Sequence, residues 1–109
     1  MTLRHYVLQR MTAALMVPLI AAHLMTIIYA THHGLSANEI LGRLRGSPGW
    51  AAFYSVFVLL AGVHASIGLR SVAADWTPLR GPALDVLMWT IGVALLLMGG
   101  RGVYAVIAA

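Results

Sequence analysis

His64-Ala-Ser-Ile-Gly68-Leu-Arg70-Ser71-Val-Ala-Ala-Asp75-Trp76 closes the second of three long apolar runs in the chain. A helix turns about 100° per residue, so positions 64, 68, 71 and 75 share one stripe. That stripe reads His, Gly, Ser, Asp on a helix otherwise built from Val, Leu, Ala and Phe. The imidazole precedes Asp75 by eleven residues, about 16 Å along the axis. With Asp75 at a membrane surface, His64 sits near the middle of a ~30 Å hydrocarbon layer. An ionisable group at that depth is costly to solvate and marks a functional site by default.

Composition sets the class. Of 109 residues, 61% are hydrophobic and only 9% charged, with a mean hydropathy of +0.86. Soluble domains carry about 25% charged residues. The chain therefore reads as an integral membrane protein, one small bundle with no room for a separate soluble catalytic domain. Zero cysteines exclude disulfides, iron–sulfur ligation and thiolate zinc sites within it. Seven Arg, no Lys and three acids give +4. The Arg residues flank the apolar runs, which suits membrane topology and no nucleic-acid surface.

The fold predicted is all-α: a single transmembrane domain over 1–109 with spans at about 11–30, 50–73 and 84–106. The first apolar run, Met11 to Ala30, holds no charge and one His. Its length of about twenty residues exceeds the roughly 7–15 of a signal-peptide core, and no cleavage motif follows, so it reads as a retained span. Ser36-Ala-Asn-Glu39 has capping-box spacing and predicts a short interfacial helix at about 37–45. Trp50 opens the second run as an interfacial anchor. Asp75 to Pro82 reads as the second connection, with Pro82 and Asp85 suited to the first turn of the third span. Gly99-Gly100-Arg101-Gly102 interrupts the third run, and Arg101 reaches for the far surface. Three spans put Arg4, Arg10, Arg70 and Arg80 on one side and Arg43, Arg45 and Arg101 on the other. The positive-inside rule then favours a cytoplasmic N-terminus.

Two clusters could carry chemistry. His64 could be an axial ligand to haem iron through a neutral ring nitrogen, with Gly68 making room for a flat macrocycle and Arg70 pairing with a propionate. The competing reading is an imidazole bonded to a neighbouring helix beside Ala61, Ala65 and Gly68. A second iron ligand from His23 in the first span is open at this point. His32 and His33 read as interfacial polar residues. Gln9-Arg10-Met11-Thr12 lies at the same membrane surface as Ser71, Asp75 and Trp76. Arg, hydroxyl, carboxylate and indole N–H there could bind quinone carbonyls and relay protons, or could simply anchor the helix ends.

His64-x-x-x-Gly68-x-Arg70 with Asp75 beyond it resembles the haem-ligand helix of the small membrane-anchor subunits of succinate dehydrogenase. Gln9-Arg10-x-Thr12-Ala13 resembles the first-helix signature of the same family. The resemblance implies that two such subunits pair, complete one bundle and share one haem b, each offering a single His to the iron. It implies His64 as the metal ligand, with Gly68, Arg70 and Ser71 around the cofactor. It also implies Arg10 and Asp75 at a ubiquinone or menaquinone site, to which the cluster reading adds Thr12 and Trp76. The implied partners are a second anchor subunit, an iron–sulfur subunit and a flavoprotein, in a bacterial inner membrane. Ser71 stands where the cytochrome-type anchor usually has His, and Trp76 where the other anchor usually has Tyr. A haemless structural anchor or assembly protein, and the cytochrome b subunit of another membrane dehydrogenase, are the alternative readings.

Overall fold

The computed structural model describes residues 3–108. It contains α1 (Leu3–His33), α2 (Ala37–Leu44), α3 (Pro48–Trp76) and α4 (Pro82–Ile107), and no strand among the described residues. Helices α1, α3 and α4 are each long and apolar enough to cross a membrane. They form an elongated bundle of 49 × 24 × 23 Å. Helix α3 is the middle member, packed on α1 along one side and α4 along the other. The short α2 lies beside the end of α4, where the Gly46 N–H donates to the Ile107 carbonyl at 2.7 Å.

The helix ends follow local chemistry. Ser47 caps α3 by accepting from the Trp50 N–H, and Pro48 occupies the first turn. Gly81, at φ 61°, makes the turn into α4 ahead of Pro82. Ser36 caps α2 by accepting from the Glu39 N–H at 3.2 Å. The reciprocal half of the predicted capping box differs. The Glu39 carboxylate takes the Ser36 hydroxyl proton at 2.7 Å instead of a backbone N–H.

All three spans run past their charge-free stretches. Asp75 and Trp76, predicted to open the second connection, form the last turn of α3. No breaker precedes Pro78, whose ring bars helical geometry at Thr77, and Thr77 is accordingly extended at φ −132°, ψ 164°. The glycines at 99, 100 and 102 do not interrupt α4. In lipid no water competes for their backbone groups, so the intrahelical bonds persist.

Packing is inverted relative to a soluble bundle. Among the described residues only Ile67 and Leu84 are buried hydrophobics, while Met25, Val86 and Leu97 are 69%, 66% and 69% exposed. On α1 the covered positions include the polar residues His5, Gln9, Thr12, His23 and Thr26, while Arg4, Arg10, Thr31, His32 and His33 are exposed toward the helix ends and outer face. That is the arrangement expected where the solvent is hydrocarbon: apolar side chains face out, and small or polar residues hold helices together.

Candidate functional site

Helices α1 and α3 are antiparallel, and three contacts fix their register. A Cβ on Gly68 would sit 3.3 Å from Gln9 Nε2. Thr12 Oγ1 meets His64 Nδ1 at 3.2 Å. Tyr54 Oη meets His23 Nδ1 at 3.4 Å. His64 therefore lies level with Thr12, and His23 level with Tyr54, about ten residues or 15 Å away along α3. Two axial ligands must approach one iron from opposite sides, so an in-chain site joining His23 and His64 is ruled out by this register. Counted from Arg10 and Asp75 as the ends of the spans, the two rings would stand at similar depth. Helix α1 starts at Leu3 and reaches well beyond Arg10, which shifts the pairing.

The stripe of α3 predicted to matter faces α1. His64, Gly68 and Ser71 are half-buried, and Asp75 is exposed. Thr12 is buried, and its hydroxyl also lies 2.7 Å from the Leu8 carbonyl and 3.1 Å from that of Gln9. His64 Nε2 makes no hydrogen bond among the described residues and is not sealed from the surface. Gln9 Oε1, one turn along the same seam, is a buried acceptor with no hydrogen-bond partner among the described residues.

Haem b is the group the sequence resemblance implies, and part of this donor set fits it. An imidazole with Nδ1 engaged and Nε2 open, at mid-span, is the arrangement an axial ligand needs. His23 lies about 15 Å from His64 along the seam, so of these two rings only His64 would reach the iron. Two expected neighbours are otherwise engaged. The Gln9 amide fills the space beside Gly68. Arg70 pairs with Asp85 of α4, both Nε and Nη2 lying 3.0 Å from Oδ1.

The expected quinone residues do not converge within this chain. Arg10 is exposed on the outer face of α1, its guanidinium 5.6 Å from the Tyr6 ring centroid. The α1–α3 register puts Arg10 about 12 Å deeper along the bundle than Asp75. Trp76 is 84% exposed. Thr12 turns inward to His64 and away from this outer surface.

At the opposite end the structure holds a feature the sequence reading missed. An open groove of about 680 Å³ lies between α1, α2 and the start of α3, bordered by His23, Tyr29, Arg43, Trp50 and Tyr54 among others. His23 meets the rings of Tyr54 and Phe57 edge-on, at 5.8 and 5.5 Å between centroids. The signal was available in Trp50, Phe53, Tyr54 and Phe57, aromatic residues at helical spacing that form one connected cluster. His32 and His33 are exposed in the last turn of α1, where His33 stacks on Tyr29.

Comparison with known proteins adds two findings. Residues 1–100 match the family described as succinate dehydrogenase/fumarate reductase transmembrane subunit. The chain is also similar to a succinate dehydrogenase hydrophobic membrane anchor subunit of Archaeoglobus fulgidus, 31% identical over 70 residues. That alignment covers 64% of this chain and 59% of the relative, so the chain spans less than two thirds of the relative's length. No solved structure matches.

Proposed function

Given that the chain belongs to the succinate dehydrogenase/fumarate reductase transmembrane subunit family, we propose that it is a haem b-binding, quinone-site-forming anchor of a succinate:quinone oxidoreductase. It is a multi-pass membrane protein, and its proposed place is a bacterial inner membrane with the N-terminus cytoplasmic. The excess of Arg4, Arg10, Arg70 and Arg80 at that end supports this orientation. A second anchor subunit completes the bundle and gives the second iron ligand, because His23 is too far along the seam to do so. An iron–sulfur subunit and a flavoprotein dock at the cytoplasmic surface, where succinate is oxidised.

The observation that carries the reading is His64: a half-buried imidazole at mid-span with Nδ1 engaged and Nε2 open. Haem b, when bound, supplies a one-electron store between the iron–sulfur partner and the quinone. His64 Nε2 would hold it. Gly68 and Ser71 continue the same face toward the cytoplasmic end, and Arg70 would reach a propionate by exchanging its Asp85 contact. Reduction of ubiquinone or menaquinone to the quinol takes two electrons from the iron–sulfur partner and two protons from water. Arg10 has no carboxylate partner among the described residues, so its guanidinium is available to a quinone carbonyl. Asp75, exposed at the end of α3, would pass protons inward, and the Trp76 indole N–H lies at the same mouth. Their separation in depth means the partner subunits supply the remaining walls.

Purification in mild detergent tests this. The expected result is co-purification of a flavoprotein, an iron–sulfur protein and a second anchor, with a sharp b-type α band in the reduced-minus-oxidised spectrum. Other soluble partners would make it the cytochrome of a different dehydrogenase, and the expected partners without the band would make it a haemless anchor.

A further inference from the structure

The seam contact between Thr12 and His64 has a direction that can be worked out from proton counting. A threonine hydroxyl has one proton to donate and lone pairs to accept. Carbonyl oxygens only accept, and Thr12 Oγ1 lies 2.7 Å from the Leu8 carbonyl and 3.1 Å from the Gln9 carbonyl. The shorter of these takes the proton. The 3.2 Å contact to His64 Nδ1 is then a bond only if Nδ1 carries the proton and donates it to Oγ1. The reverse assignment gives up the 2.7 Å bond for the longer one and puts the ring proton on Nε2. Thr12 is 5% exposed, so its hydroxyl has little access to water, and a buried donor left unpaired is costly.

We propose that Thr12 is the positioning residue of His64: its hydroxyl accepts from Nδ1–H, holds the ring in that tautomer, and leaves the Nε2 lone pair as the one that can bind iron. This assigns Thr12 to the cofactor ligand instead of the quinone, and it rests on the reading of His64 as an axial ligand. Histidines that bind metals are commonly held this way through the other ring nitrogen, usually by a carboxylate or carbonyl. A neutral hydroxyl on a rigid helix orients the imidazole without pulling its proton away. Thr12 is itself held by Leu8, one turn back on α1, so α1 sets the angle at which α3 presents its ligand.

The test is Thr12→Val, which keeps the shape and removes the hydroxyl, beside Thr12→Ser, which keeps the hydroxyl, each in the whole complex. The expected result for the valine variant is roughly tenfold or greater weakening of haem retention on detergent washing, with a midpoint potential and low-spin EPR signal displaced from wild type. The serine variant stays at wild type in all three. Wild-type haem content, potential and EPR in Thr12→Val overturn the proposal, and a raised KM for quinone with those three unchanged returns Thr12 to the quinone site. Should the valine side chain prevent assembly, Thr12→Ala carries the same readouts with less bulk. His64→Ala separates this from the function proposed above: full haem in that variant removes the ligand itself, whereas loss of haem there with an unchanged Thr12→Val removes only the positioning role.

Discussion

Helix α3 has two seams, and they are built from different materials. Toward α4 it packs through glycines on both helices: a Cβ on Gly99 of α4 would lie 2.5 Å from Val58 Cγ1, one on Gly92 of α4 3.3 Å from Ser66 Cβ, and one on its own Gly62 3.0 Å from Leu96 Cδ2. Toward α1 it meets polar side chains: Gln9 beside Gly68, Thr12 on His64, His23 on Tyr54. In lipid neither seam gains from expelling water, so each must hold by close packing or by hydrogen bonds. The α4 seam uses the first, with one ion pair, Arg70 to Asp85, near the turn that joins α3 to α4. The α1 seam uses the second, through the side chains of Thr12 and His64 and of His23 and Tyr54. One side of α3 is a close-packed joint, and the other is a hydrogen-bonded seam, the one that carries the proposed ligand His64.

That contrast can be broken by substitution. Gly99→Leu should be the most damaging change, since even its first carbon meets Val58 at a distance real side chains do not adopt. The expected outcome is loss of the assembled complex, or several degrees off its thermal midpoint, corresponding to about 1–3 kcal/mol of overpacking. Val58→Ala in the same chain should restore part of it. Arg10→Ala should slow quinone reduction roughly ten- to a hundredfold, the worth of one charge-assisted hydrogen bond of about 1.5–3 kcal/mol. Succinate oxidation with an artificial acceptor should stay at wild type, and equal loss of both activities would point to failed assembly. Arg70→Gln should do least to stability. The Asp85 side chain is 53% exposed, and pairs of that kind contribute about 0–1 kcal/mol. Thermal unfolding of the purified complex would read a shift of a degree or two at most.

The sequence carried the fold through its periodicity and its charges. Three apolar runs separated by Gly, Pro and Arg leave little choice but three spans, and the structure has them. Helix ends were harder, because Asp75 and Trp76 look like loop residues until Pro78 is recognised as the first real breaker. The face of α3 bearing His64, Gly68, Ser71 and Asp75 was legible for the same reason, since it is the polar stripe of an apolar helix. What faces it was not. Which residue of α1 stands opposite His64 depends on register, and register depends on where α1 begins, which no local pattern specifies. So Thr12 was placed with Arg10 as its near neighbour in sequence, although it turns inward while Arg10 turns out. The aromatic groove around His23 was missed because it is made by three elements at once.

The most direct measurement compares the two histidines of the polar seam. His64→Ala and His23→Ala would each be made in the whole complex, and the reduced-minus-oxidised spectrum recorded at equal protein. The b-type α band should vanish in the first and persist in the second, because His64 stands at mid-span of α3 while His23 lies about 15 Å along the seam toward the opposite end. A full band without the His64 imidazole would show that this ring binds a neighbouring helix and not iron, and the seam would then be a second joint.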